Sequence, residues 1–407
     1  MISIEDALAA VLAAAQPNPP AEVPVADALS RQLAADIISS LDSPPHDKAM
    51  VDGYALIAAD VASIPARLNV LEEVTCGRLP SRPVTSGSAT RIMTGAPVPE
   101  GADSVVMIEQ TSVDGDGGDE HVVIRAETRP GANIMRQGSS IRRGDCVLKR
   151  GAEIRAIEIG LLCEVGQAMA PVHARPTVAV VATGDELVDV GAAPGPGQIH
   201  NSNGPMIQSQ ALAAGADAVD LGIAPDLREP LENLIDDGLQ HDVLVLSGGV
   251  SAGVLDLVPA ALKSQGVVEV FHKVHIKPGK PLWFGCKSTG AGKRLVFGLP
   301  GNPVSSLVCF ELFVRPAIEK LAGLDFETPM IHATLTNDHR QKGGRPTFFP
   351  GRCEDQSKAT AGRPIVSALT WQGSADLCGL ANANCLIYFP PGDREFKSGE
   401  MVAVRMF

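Results

Sequence analysis

Aromatic residues are scarce in this chain: Phe, Trp and Tyr make up 4% of its 407 residues, with two tryptophans and two tyrosines. Its cores must therefore be packed from aliphatic side chains. The eight cysteines, at 76, 146, 163, 286, 309, 353, 378 and 385, include no CxxC pair, which removes the usual signature of a zinc site and points to reduced, mostly buried thiols. No basic stretch followed by an uninterrupted apolar run opens the chain, and no run of about 18 uncharged apolar residues occurs in it. The expectation is a cytoplasmic protein with no membrane segment. Positive charge is also short. Lys and Arg number 34 against 47 Asp and Glu, a formal net charge of −13, which disfavours a non-specific hold on nucleic acid because that needs a basic surface to displace counterions. An anionic small molecule would need a local cluster of cations, or helix N-termini, within the acidic whole. Internal repeats, low-complexity segments, a GxxxxGK[ST] loop and a GxGxxG fingerprint are missing too. Ordinary nucleotide triphosphatase and dinucleotide-binding readings lose their main support.

What is present is a length that exceeds a single core, with 45% hydrophobic residues, 41 Gly and 31 Pro. That composition favours several domains of short elements joined by tight turns. Ser3 caps an expected helix over residues 1 to 15, with Ile4, Leu8, Val11 and Leu12 on one face. A second helix is expected over 25 to 36. From 43 to 134, Gly and Pro punctuate short β-like runs such as 103 to 108 and 121 to 126, and a helix over 156 to 166 then ends at Gly166. After Arg175-Pro176, apolar strands at 178–182, 218–223, 243–246, 267–270 and 295–297 alternate with helices near 204–214, 228–239, 254–264 and 303–321. This alternation predicts a parallel sheet with its strand C-termini along one edge. Beyond about 328, strands near 331–335, 346–350, 364–370, 384–389 and 401–405 predict a small β-barrel or sandwich. The fold class is therefore α/β multidomain, with helical segments 1–42 plus 135–170, a β-rich insert 43–134, a central α/β domain 171–326 and a C-terminal barrel 327–407.

Three predicted strands run straight into loops of small residues: Thr183-Gly184-Asp185-Glu186, Ser247-Gly248-Gly249-Val250-Ser251 and Gly298-Leu299-Pro300-Gly301-Asn302-Pro303. In an open α/β sheet all three meet in the crevice outside the strand ends. Glycine lets the backbone turn its N–H groups toward a ligand, and helix N-termini add positive potential, which suits phosphate. Each loop alone reads equally well as a tight turn. A cationic stretch, His272-Lys273-Val274-His275-Ile276-Lys277-Pro278-Gly279-Lys280-Pro281, follows the fourth strand. On an extended strand Lys273, His275 and Lys277 share a face, and the Pro-Gly turn aims Lys280. Such a cluster suits an oxyanion or pyrophosphate, while a solvated edge strand is the plainer alternative. Asp185, Glu186, Asp226 and Asp256 lie beside the same loops, where acids commonly hold Mg²⁺ against phosphate. Asp226 and Asp185 serve equally as caps of a helix and a turn.

Read together and in order, the motifs resemble those of the MoeA-family molybdenum insertases, which are also similar to the E domain of gephyrin. They are Met50-Val51-Asp52-Gly53-Tyr54-Ala55, Arg91-Ile92-Met93-Thr94-Gly95-Ala96-Pro97-Val98-Pro99, Thr183-Gly184-Asp185-Glu186-Leu187, Ser247-Gly248-Gly249-Val250-Ser251, Lys277-Pro278-Gly279-Lys280-Pro281 and Gly298 to Ser305. The resemblance implies insertion of molybdate into the dithiolene of adenylylated molybdopterin, with Mg²⁺-dependent cleavage that releases AMP. It further implies that the segments 1–42 and 135–170 form a linker and dimerisation domain, and that 171–326 binds molybdopterin. By the same resemblance Glu186, Asp226 and Asp256 are the pocket acids, Glu186 and Asp256 the metal ligands, and Lys273 and Lys277 the catalytic cations. Substrate contacts fall to Thr183, Gly184, Asp185, Ser247, Gly248, Gly249, Ser251, Lys280, Pro300, Gly301, Asn302, Pro303 and Ser374. A homodimer is implied in which Asp52 and Thr94 complete the site in trans, and other proteins of cofactor biosynthesis are candidate partners. Asp52 and Thr94 also read as ordinary turn residues before Gly53 and Gly95. The family pattern around 134 to 140 commonly has Arg and Asp where this chain has Met135 and Ser140, with Arg136 one residue further on, and often an Arg where it has Pro350. Three functions follow: a molybdotransferase, a carrier or scaffold that binds the pterin without turnover, and an ATP-using adenylyltransferase, the last opposed by the insert and the barrel.

Overall fold

Between residues 177 and 321 the alternation of aliphatic strands with helices builds one mixed sheet. The computed structural model describes residues 1–113, 121–250, 257–290, 292–324, 330–354 and 363–407. Ser251 and Asp256 lie outside the described residues. The chain divides into two units, one of Met1–Ala21, Ser30–Ala34 and Pro171–Phe407, the other of Glu22–Leu29 and Ala35–Ala170.

In the first unit the strands β1 (Thr177–Thr183), β2 (Asp217–Ala224), β3 (Val243–Ser247), β4 (Val268–His272), β5 (Trp283–Thr289) and β6 (Gly292–Leu299) lie in the order β2-β1-β3-β6-β5-β4. β1 and β3 are buried almost end to end, as unbroken Val, Ala and Leu runs with both faces covered must be. Val178, Val180, Val243 and Val245 face α1 (Ile4–Ala14) and α2 (Asn203–Ala213) through Ala7, Val11, Ile207 and Ala211. Ala179, Val181, Leu244 and Leu246 face α3 (Arg228–Gly238) and α4 (Leu257–Ser264) through Leu231, Ile235, Val258 and Leu262. Ser3 caps α1 as expected, its Oγ accepting the Asp6 N–H at 3.0 Å. The expectation of a wholly parallel sheet needs correction. β5 runs antiparallel to both β4 and β6, because the two residues between β5 and β6 are too few for a crossover and permit only a hairpin.

One long helical segment, α5, leaves the third loop: Pro303–Cys309, a π-helical turn Phe310–Val314, then Arg315–Leu321. The C-terminal strands β7 (Ile331–Leu335), β8 (Thr347–Glu354), β9 (Ile365–Ala368), β10 (Cys385–Phe389) and β11 (Met401–Met406) close into a barrel rather than a sandwich, in the order β7-β9-β8-β10-β11. Its interior is filled by Leu335, Val366, Cys385, Ile387, Phe389 and Val404. Pro350 sits in β8 opposite Leu386.

The second unit holds the β-rich insert, a six-stranded sheet of Ser104–Met107, Gly53–Leu56, Ser88–Ile92, Ala66–Val74, His121–Ile124 and Thr111–Val113 in that order. The helix Ala156–Glu164 lies close to its expected place, followed by Gly166 at φ +77°. The helix expected over 25 to 36 does not form. Val25–Asp27 makes a single 3₁₀ turn, Ser30 turns left-handed at φ +60°, and Leu33 forms an extended bridge with Val172. Burying Leu33 in extended backbone outweighs the modest helix propensity of the segment. Met135 lies in a short strand, Ile134–Met135, paired with Lys48–Ala49. Arg136 is held by Asp47 at 2.5 Å, and the Ser140 N–H donates to the Ser43 carbonyl at 3.0 Å.

Candidate functional site

The C-terminal ends of β1, β3 and β6 deliver the three glycine-bearing loops to one place. Gly248 explains why the second loop needs glycine: its φ is +98°, and a Cβ there would lie 2.6 Å from the Thr183 carbonyl oxygen. Without a side chain, the Gly248 N–H reaches the Leu299 carbonyl at 3.1 Å and ties the second loop to the third. Gly184 is favoured by its φ of +144°, and the movable Glu186 carboxylate lies over it. The result is a cleft of about 680 Å³, bounded by Thr183, Gly184, Glu186, Asp226, Ser247, Gly248, Gly249, Pro300, Gly301, Asn302 and Pro303.

Acid is concentrated on one wall. Asp185 accepts the Asp226 N–H at 2.9 Å, and the Asp226 carboxyl is pushed above its ordinary value by partial burial and then by the facing charges of Asp185 and Glu186. Among the described residues no group of three or more His, Cys, Asp or Glu side chains is gathered into a full metal cage.

A second cleft, of about 540 Å³, adjoins the first and shares Pro281, Pro300 and Asn302 with it. Its character is opposite. Lys277, Lys280 and Arg345 line it together with Ser305, Phe349, Trp371 and Ser374. The barrel is stitched to the α/β domain around it. The Lys277 N–H donates to the Pro346 carbonyl at 2.9 Å, and the Phe348 N–H returns to the Lys277 carbonyl at 2.8 Å. Arg345 Nη1 donates to the Ile276 carbonyl at 2.8 Å, and Asn302 Nδ2 to Ser374 Oγ at 3.0 Å. The Lys277 charge is felt in the barrel, where His339 is lowered by burial and then by that lysine.

Several residues singled out from the sequence stand elsewhere. Asp185 lines neither cleft and serves as the Asp226 partner. Lys273 lines neither: it follows the end of β4 and adopts φ +72°, which breaks the extended run expected to align it with Lys277. Asp52 and Thr94 belong to the second unit, where Asp52 Oδ1 accepts both the Thr94 N–H and hydroxyl at 2.7 Å and its carboxyl is thereby lowered. The sequence does not single out His200, Asn201, Ser202 and Asn203 in the first cleft or Arg345 and Trp371 in the second. The polar run His200-Asn201-Ser202-Asn203 ahead of α2 was the available signal. Asn201, one residue before the cap position Ser202, accepts the Gly204 N–H of the first turn on its Oδ1 at 3.0 Å.

A covered α/β sheet whose glycine-bearing loops line one cleft, adjoined by a cationic cleft that a barrel helps to form, defines a multidomain α/β class of protein with paired ligand-sized clefts. Comparison with known proteins narrows that class. Residues 2–166 match the MoeA N-terminal region (domain I and II), residues 179–320 the family described as "Probable molybdopterin binding domain", and residues 332–407 the MoeA C-terminal region (domain IV). The molybdopterin molybdenumtransferase of Bacillus subtilis strain 168 is 34% identical over 390 residues, 94% of this chain and 88% of the relative. That of Staphylococcus aureus strain Mu50 is 32% identical over 412 residues, covering 99% and 95%. Two structures of the molybdopterin biosynthesis moeA protein of Pyrococcus horikoshii align with TM-scores of 0.84 and 0.81, at 30% and 28% identity, over 100% of this chain and 99% and 100% of theirs. The chain belongs to the MoeA family of molybdopterin molybdenumtransferases.

Proposed function

We propose that the two adjoining clefts are where this chain does the work of its family. As a MoeA-family member it is a transferase of molybdenum cofactor biosynthesis. In our reading it inserts molybdate into adenylylated molybdopterin and releases AMP with the help of Mg²⁺. The observation that carries this reading is the shared rim of Pro281, Pro300 and Asn302 between a glycine-lined cleft and a cationic one. The first suits a pterin pyrophosphate, because its glycine backbone lets phosphates approach closely and, although the Gly184 and Gly248 N–H groups are bonded to the Ala224 and Leu299 carbonyls, it leaves other loop N–H groups to face them. The second suits a tetrahedral oxyanion, with Lys277, Lys280 and Arg345 to neutralise it and Ser305 and Ser374 as hydroxyl donors. Mg²⁺ fits the acid wall, because Asp185, Glu186 and Asp226 stand close together there and a cation would relieve their mutual repulsion. Mg²⁺ also needs only one or two carboxylates beside waters and phosphate. Glu186 would hold it, with Asp226 close by, and Asp256, outside the described residues, is assigned with Glu186 by the family resemblance; once bound the ion would neutralise phosphate charge. We assign Asp52 and Thr94 to completion of the site in trans within a homodimer, and place the protein in the cytoplasm.

The test is direct. Purified protein given adenylylated molybdopterin, molybdate and Mg²⁺ should release AMP in step with cofactor formation. A carrier that binds the pterin without turnover is the second reading, favoured by Arg136, which is held by Asp47 at 2.5 Å rather than standing in for the arginine absent at Met135. Tight pterin binding without AMP release would select it.

A further inference from the structure

Asn203 is the first residue of α2, is 9% exposed, and belongs to neither of the loops it holds. Its Nδ2 donates to Ser247 Oγ at 2.8 Å and to the Gly301 carbonyl at 2.7 Å. One amide therefore spans the second and third loops from a third element, beside the backbone bond from Gly248 to Leu299. The orientation of that amide is fixed, since the Gly301 carbonyl can only accept. The consequence is that Asn203 Oδ1 is buried with no hydrogen-bond partner among the described residues, a state that native cores avoid and that calls for a reason at the position where it occurs.

We propose that Asn203 is a positioning residue of the transfer site, kept for its two donors because they set the spacing between Ser247 and Gly301 across the cleft floor. The orphaned oxygen is the cost of that spacing. This rests on the reading of the cleft as the pterin-nucleotide site. Ser247 alone cannot do the work, because its hydroxyl reaches only one loop. Aspartate at 203 could still accept a hydrogen bond from Ser247 but would set a carboxylate against the Gly301 carbonyl.

The experiment compares wild type with Asn203→Ala, Asn203→Asp, Ser247→Ala and the double variant Asn203→Ala/Ser247→Ala. Amide hydrogen exchange at Gly248, whose N–H is bonded to the Leu299 carbonyl, is read first, since it reports loop register whatever the protein catalyses. Asn203→Ala and Asn203→Asp should each speed exchange at this amide at least ten-fold while the β1 and β3 amides keep their protection. AMP release should then show kcat falling at least ten-fold with KM for the pterin changing less than three-fold. The double variant should lose no more than Asn203→Ala alone. Unchanged exchange at Gly248 in Asn203→Ala overturns the proposal, as does wild-type kcat in a variant whose exchange has risen. If wild type itself releases no AMP, the functional reading fails, and the exchange result still decides the positioning role.

Discussion

Asp226 pays for its place beside Asp185 and Glu186 in stability. Because its carboxyl titrates above its ordinary value, the folded state disfavours the ionised form. The penalty is full at pH 7 and fades as pH falls through the raised folded value toward the ordinary carboxylate range of about 4. Asp226→Asn should therefore melt slightly higher than wild type at pH 7, with the gap closing toward pH 4, and should release AMP far more slowly. Melting curves at the two pH values check the sign. Arg345 makes a different prediction. Arg345→Ala removes a charge-assisted donor of about 1.5–3 kcal/mol, so KM for molybdate should rise roughly ten-fold or more, as measured by AMP release at varied molybdate. At this scale the sequence was readable where backbone demanded a residue type: the Gly-rich loops were found because little else than glycine tolerates the approach of Gly248 to Thr183. It was unreadable where an ordinary side chain does its work across the fold. Nothing local to Asn203 or Arg345 announces contacts with Gly301, 98 positions away, or with Ile276, 69 away.

Among the elements, α5 shows why a helix can be foreseen while its internal geometry cannot. The run from 303 to 321 reads as one helix, yet Pro316 brings a π turn into it. The Arg315 N–H bonds to the Phe310 carbonyl, and the next backbone nitrogen belongs to proline, so the Glu311 carbonyl has no helical donor. Arg405, 6% exposed on the last barrel strand, supplies one at 2.5 Å, while the Glu311 side chain accepts from Gln210 at 2.7 Å and Arg315 at 2.5 Å. Arg405→Met should cost about 1–3 kcal/mol by leaving that buried acceptor unpaired, read as a lower urea midpoint at unchanged slope. The 25–36 segment reads as a helix on local pattern and is decided by a distant partner, Val172 for Leu33, whereas β5 is absent from the expected strands and its direction follows from the two-residue turn into β6. Barrel strands, whose alternation is set by one buried face, were legible to within a few residues.

For the whole molecule, a net charge of −13 surrounds a cleft lined by Lys277, Lys280 and Arg345, so capture of an oxyanion depends on local rather than overall field, and molybdate affinity should fall with added salt. The trans assignment of Asp52 has a numerical signature. Neither Asp52→Asn nor Glu186→Gln should turn over alone, but equal mixtures allowed to exchange subunits should recover about a quarter of wild-type activity, since half the dimers carry one intact site. Sites complete within one chain would recover none. The shared rim of Pro281, Pro300 and Asn302 carries the widest consequence. In the proposed reading two guests rest on the same three residues and are thermodynamically linked, so the factor by which AMP changes molybdate affinity must equal the factor by which molybdate changes that of AMP. Calorimetric titration of each in the presence and absence of the other measures that common factor. Whichever guest arrives first, the doubly filled state is reached with the same free energy, and the order of arrival becomes a question of rates alone.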